Sequence, residues 1–177
     1  VIVGARQRGI RSIVGIAVGF CLLAACGDDK PAASAVADPG ATATMTVSDD
    51  QRSAVSDAAG SFAKELADLQ ATGAAALAPG GNPAAFYREF ATVSTEAAAR
   101  YADLDVPNEV RETRDRLAAL LGEQASLLGE IADGADAGED ESLGPQLERL
   151  TEVLGDVTTV NAELLRSMGI EPPQPSP

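Results

Sequence analysis

Apolar residues recur along this chain at steps of three and four, in four stretches cut apart by proline and glycine. An α-helix turns once every 3.6 residues, so this spacing gathers the apolar side chains on one face. No stretch alternates with period two between turn residues, so a sheet is not expected.

The first stretch opens at Ser48, where Asp49, Asp50 and Gln51 complete a capping box with acids in the first turn. Its stripe is Val55, Ala59, Phe62, Leu66 and Leu69, which predicts a helix over Ser48 to Leu77 with a weak point at Gly73. Pro79-Gly80-Gly81 ends it. Asn82-Pro83 then supplies a cap with proline at the first helical position. The second stripe is Phe86, Phe90, Val93, Ala97, Tyr101 and Leu104. Pro107 breaks it and opens a third helix striped by Val110, Leu117, Leu121, Leu128 and Ile131, which Gly134 and Gly138 close. The fourth carries Leu143, Leu147, Leu150, Leu154, Val157, Leu164 and Met168, with Gly169 placed for a left-handed cap and Ile170 beyond it. Pro145 fits there only in the first turn.

Four such helices with short connections predict an all-α fold, an antiparallel up-and-down four-helix bundle over residues 48–170. The alternative is two long hairpins that pack loosely or swap into a dimer. Beyond residue 25 the aromatic residues are Phe62, Phe86, Tyr87, Phe90 and Tyr101, so the expected core is leucine, valine and alanine. Alanine lets helices approach closely but buries little area, which predicts modest stability.

Residues 1–25 have a different character. Arg6, Arg8 and Arg11 precede an uncharged run from Ser12 to Ala25, the layout of a secretory leader with a basic head and an apolar middle. The run is shorter than the roughly 20 apolar residues that a membrane-crossing helix needs. Gln7 separates Arg6 from Arg8, so the twin-arginine signature is missing and ordinary export is expected. Val1 fits a GTG start read literally, or a missing first residue.

The run ends in Leu23-Ala24-Ala25-Cys26, and here the chain resembles bacterial lipoprotein precursors. The resemblance implies that Leu23, Ala24 and Ala25 are recognised by signal peptidase II. It also implies that Cys26 receives a diacylglyceryl thioether and becomes the first residue of the mature protein. A thiolate is a good nucleophile for alkylation, and two or three acyl chains at about 0.8 kcal/mol per buried methylene anchor a protein stably. Only Lys30 and Lys64 among the 13 basic residues are lysine, and alanine is frequent, so the composition is similar to that of actinobacterial envelope lipoproteins. The implied location is the extracytoplasmic face of the cell membrane. An ordinary secretory leader with an incidental cysteine is the simpler reading.

Residues 26–47 contain almost no large apolar side chain after Cys26, so they are expected to form a disordered tether. Treated as a flexible coil of about twenty residues, it spans roughly 25 Å. Residues 171–177 hold four prolines and should be a loose tail. Removal of the three leader arginines takes the formal charge from −14 to −17. So acidic a body lacks the lysine and arginine stripe that nucleic acid requires.

The chain has no histidine, which removes histidine acid/base catalysis, the Ser-His-Asp triad and the Glu-x-x-His motif of di-iron bundles. Ser61-Phe62-Ala63-Lys64 matches the Ser-x-x-Lys of penicillin-interacting enzymes, but their further motifs are missing, and a solvated helix face is the plainer account. Asp133, Asp136, Glu139, Asp140 and Glu141 could collect calcium through oxygen ligands. However, Ala135 and Ala137 stand where an EF-hand needs oxygen side chains, and a self-repelling loop explains the run equally well. Arg111, Arg114 and Arg116 form the densest basic cluster, for which Glu112–Arg116 pairing within the helix is the simple account and a polyanion contact the sharper one. Tyr87 and Tyr101 are expected at the core edge with wet hydroxyls.

No catalytic residue, metal ligand or cofactor is therefore assigned, and the expected function is that of a non-enzymatic interaction or structural module in the envelope. The alternative is a binding protein that holds a small apolar or lipid ligand between its helices. The expected attachments are the membrane, through Cys26, and another envelope protein.

Overall fold

The computed structural model describes residues 46–139 and 142–172. Four helices occupy most of them: α1 (Asp49–Ala76), α2 (Pro83–Ala102), α3 (Asn108–Ala137) and α4 (Gly144–Ser167). No strand occurs among the described residues. The fold is all-α.

Each start is set locally. At α1 the Gln51 amide donates to the Ser48 hydroxyl at 3.1 Å and the Ser48 amide donates back to Gln51 Oε1 at 3.2 Å, closing the capping box. At α2 the Asn82 side-chain Oδ1 accepts from the Ala85 amide at 3.0 Å, with Pro83 at the first position. Pro145 lies in the first turn of α4, where a missing N–H costs nothing.

Two ends use glycine at positive φ. Gly138 has φ 72° after α3 and Gly169 has φ 73° after α4, a backbone region that side chains disfavour. In each case the residue after the glycine reaches back, Glu139 to the Gly134 carbonyl at 2.9 Å and Ile170 to the Leu165 carbonyl at 2.8 Å. These are Schellman closures.

Cross-helix pairs fix the topology. Between α1 and α2 the Glu65–Arg100 ion pair and the packing of Gly73 under Phe86 run in opposite sequence directions. Between α2 and α3, Arg88 meets Asp133, Ser94 meets Gln124, and Arg114 reaches the Leu104 carbonyl. Glu123–Arg149 and Gly134–Leu143 join α3 to α4. Every consecutive pair is antiparallel, and the Arg52 guanidinium links α1 back to the Met168 carbonyl at the end of α4, at 3.2 Å. The molecule is an up-and-down bundle, with α2 and α3 its most closely packed pair. Its 30-residue α3 is about 45 Å long.

Leu117, Leu121, Leu128, Ile131, Val153, Val160, Leu164 and Met168 are nearly inaccessible and dominate the interior. Several stripe positions shift by one residue from expectation. Ala58 is buried rather than Ala59, and Ser94 rather than Val93, while Phe86 lies half-buried beside buried Tyr87. On α4, Leu147 and Leu154 are half-buried and Val153, Val160 and Leu165 fill the interior. The buried face of a helix is set by its neighbours, and both candidates at each site fit a 3.6-residue period.

Two glycines act differently from expectation. Gly73 does not interrupt α1, which continues through it, and a Cβ there would stand 2.8 Å from Phe86 Cε2. Gly134 does not close α3. It lies inside the helix with Leu143 so near that an added Cβ would stand 2.6 Å from Leu143 Cδ2.

Candidate functional site

Cys26, the expected site of lipidation, Leu23, Ala24 and Ala25, expected to be recognised by the peptidase, and residues 27–45 of the expected tether lie outside the described residues. What the bundle defines is the pole from which such a tether leaves. In an up-and-down bundle the start of α1, the elbow between α2 and α3, and the end of α4 share one end. Arg52 ties that pole together, since Nε donates to the Met168 carbonyl and Nη1 pairs with Asp49 at 2.7 Å. A cation on the last carbonyls of α4 also complements the negative end of its macrodipole.

Arg114 belongs to the same pole. Its Nη1 donates to the Leu104 carbonyl at 2.6 Å and its Nε and Nη2 pair with Asp115, so it braces the elbow that follows α2. The expected Glu112–Arg116 pair does not form, and Arg111 and Arg116 are exposed on the α3 surface. An exposed pair four apart contributes little to stability, so leaving this one open costs little. The arginine cluster is thus one structural brace and two solvated cations.

Ser61 is exposed, and Lys64 points to Asp68 at 3.2 Å, one turn on along α1. The amine is committed to a solvated carboxylate rather than to the serine hydroxyl.

At the opposite pole the acidic run is divided. Asp133 and Asp136 lie inside α3, not in a loop, and both pair with Arg88 of α2, at 2.9 and 2.7 Å. The Arg88 guanidinium is held above its ordinary pKa by the hydrogen bond to Asp133, then by that to Asp136. Glu139 follows in the connection, and Asp140 and Glu141 lie outside the described residues. Among the described residues no three potential ligands converge on a common point that could hold a metal ion. The sequence placed these acids in a loop because Gly134 and Gly138 together were expected to close the helix.

Tyr101 is not at the core edge with a wet hydroxyl. It is fully buried and donates to Asn161 Oδ1 of α4 at 3.0 Å. Burial pushes its phenol well above the ordinary value, while the Arg100 charge pulls weakly the other way.

A second polar pair lies deeper and was not expected. Ser94 of α2 and Gln124 of α3 are 0% and 1% exposed. Gln124 Nε2 donates to Ser94 Oγ at 2.9 Å, and Ser94 Oγ donates in turn to the Phe90 carbonyl at 2.9 Å. The signal for Ser94 and Gln124 was present in the periodicity, as a polar residue centred in each apolar stripe.

No helix among the described residues is long and apolar enough to cross a membrane. No known family, curated protein or solved structure matches the chain.

Proposed function

We propose that this protein is a lipid-anchored module of the bacterial cell envelope, with a helical bundle held outside the membrane through acyl chains on Cys26. The observation that carries the reading is the order Arg6, Arg8 and Arg11, then an uncharged run, then Leu23-Ala24-Ala25-Cys26, then a polar stretch. The pole where α1 starts fits this arrangement, because Arg52 joins it to the end of α4 and leaves the far end, about 40 Å away, free to meet another envelope protein. The role is one of contact or spacing rather than catalysis. Histidine is absent from the sequence, and both Ser61 and Lys64 are turned to solvent.

The test is metabolic labelling with an alkyne fatty acid in a host that processes lipoproteins, followed by mass spectrometry of the N-terminal peptide. The native chain is expected to be labelled, to begin at Cys26 and to fractionate with membranes. Cys26→Ala is expected to lose label and keep its leader. An unlabelled native chain, or one recovered from the cytosol at full length, overturns the proposal.

A further inference from the structure

The buried face of α2 carries rings on either side, Tyr87, Phe90 and Tyr101, and small side chains in its middle, where Ser94 and Ala97 are buried and Ala91 and Ala98 half-buried. This small middle permits the close approach of the two helices and gives them little to index against each other there, because methyl groups pack equally well one turn along. The elbow Asp103 to Pro107 holds one end only. At the other end the ion pairs of Arg88 with Asp133 and Asp136 are exposed, and such pairs contribute little. A shifted hairpin needs only one turn of helix to unwind into the elbow.

In the middle of this seam lies the one buried side-chain hydrogen bond recorded between α2 and α3 among the described residues. Ser94 is the central member of the buried series Tyr87, Phe90, Ser94, Ala97 and Tyr101. Gln124 is likewise central in Leu117, Leu121, Gln124, Leu128 and Ile131. We propose that Ser94 and Gln124 form a register lock, a polar key that selects this pairing of α2 with α3 against pairings displaced by one turn.

The selection comes from what a displacement of one turn, about 5.4 Å, does to the two groups. Ser94 then faces Leu121 or Leu128, and the Gln124 amide faces Phe90 or Ala97. The serine is unharmed, since its hydroxyl donates to the Phe90 carbonyl of its own helix. The glutamine loses its only protein partner while still buried, and an orphaned buried amide disfavours that state by roughly five- to a hundredfold in population. An all-apolar seam has no such penalty. Gln124 Oε1 accepts no hydrogen bond from the protein even in the native register, so the amide is a poor choice for stability alone. Its value is discrimination, as with a single buried polar residue in a coiled coil.

The experiment compares the full chain with Ser94→Ala, with Gln124→Met, and with the double variant Ser94→Ala/Gln124→Met, which is apolar and close to conserved in volume. The lock predicts that Ser94→Ala has the lowest unfolding midpoint, because it strands the amide. The double variant is expected to regain or exceed the native midpoint, yet with a broadened transition and amide-exchange protection in α2 and α3 lowered at least tenfold. Gln124→Met alone should resemble the double variant. A double variant that unfolds as sharply as the native chain, with α2 and α3 protection unchanged, overturns the proposal. So does a Ser94→Ala variant as stable as the native chain.

Discussion

Glycine shows at the scale of single residues how surroundings reverse the sign of a substitution. Gly122 and Gly134 both lie within α3, where alanine is intrinsically better by about 1 kcal/mol. A Cβ on Gly122 meets nothing within 4 Å, so Gly122→Ala is expected to raise stability by about 0.5–1 kcal/mol in denaturant titration. A Cβ on Gly134 would press on the buried Leu143 side chain, and overpacking of this kind costs about 1–3 kcal/mol. Set against the gain in helix propensity, Gly134→Ala is therefore expected to bring no stabilisation and to cost up to about 2 kcal/mol, and an equal gain from both substitutions would contradict the packing described. Tyr101 offers a spectroscopic reading. Its folded pKa lies above that of the unfolded chain, so its contribution to stability is complete below the ordinary tyrosine value near about 10 and is lost as pH rises through the folded value. The native phenol is expected to stay protonated above pH ~10 until the bundle unfolds. Comparing the 295 nm titration of the native chain with that of Tyr101→Phe checks this, and a Tyr101 signal that titrates near the ordinary value in folded protein would count against its burial. None of these environments was legible from spacing, because a glycine or tyrosine carries no mark of the residue that will lie against it.

Helix ends were the most legible elements. The Ser48 box, the Asn82-Pro83 start and the Gly169 stop all stand where the sequence placed them, since capping depends on residues within four positions of each other. Ser48→Ala removes one side-chain acceptor and is expected to cost about 1 kcal/mol, read as a fall of about 4 °C in the thermal midpoint. An unchanged midpoint would mean that tertiary contacts, not the cap, hold the first turn. Boundaries failed where a local signal competed with packing. Gly134 reads as a stop, but the Schellman closure at Gly138 and the contact with Leu143 carry α3 onward to Ala137. That extension places Asp133 and Asp136 on a helix facing Arg88 and converts an apparent chelating loop into an interhelical clasp.

For the molecule as a whole, charge is the dominant global term. With 27 acidic against 13 basic residues, self-repulsion opposes the compact state. Raising ionic strength from about 0.01 M to 0.15 M shortens the Debye length from about 30 Å to 8 Å and should raise the thermal midpoint. A fall instead would show that the attractive pairs, Glu65–Arg100 foremost among them, outweigh the repulsion. The antiparallel order of the four helices was legible because short connections leave consecutive helices no other way to bury their stripes. The proposed anchor at Cys26 rests on sequence alone, since a leader and its box are read by enzymes from an extended chain. By itself, then, the sequence determined helix number, order and caps, all of which depend on neighbours along the chain. Only the tertiary structure decided which of two adjacent residues turns inward, that Tyr101 is dry, that Arg114 braces the elbow after α2, and that Ser94 meets Gln124. Such outcomes depend on residues up to 116 positions apart, as with Arg52 and Met168, and their distances exist only once the helices have packed.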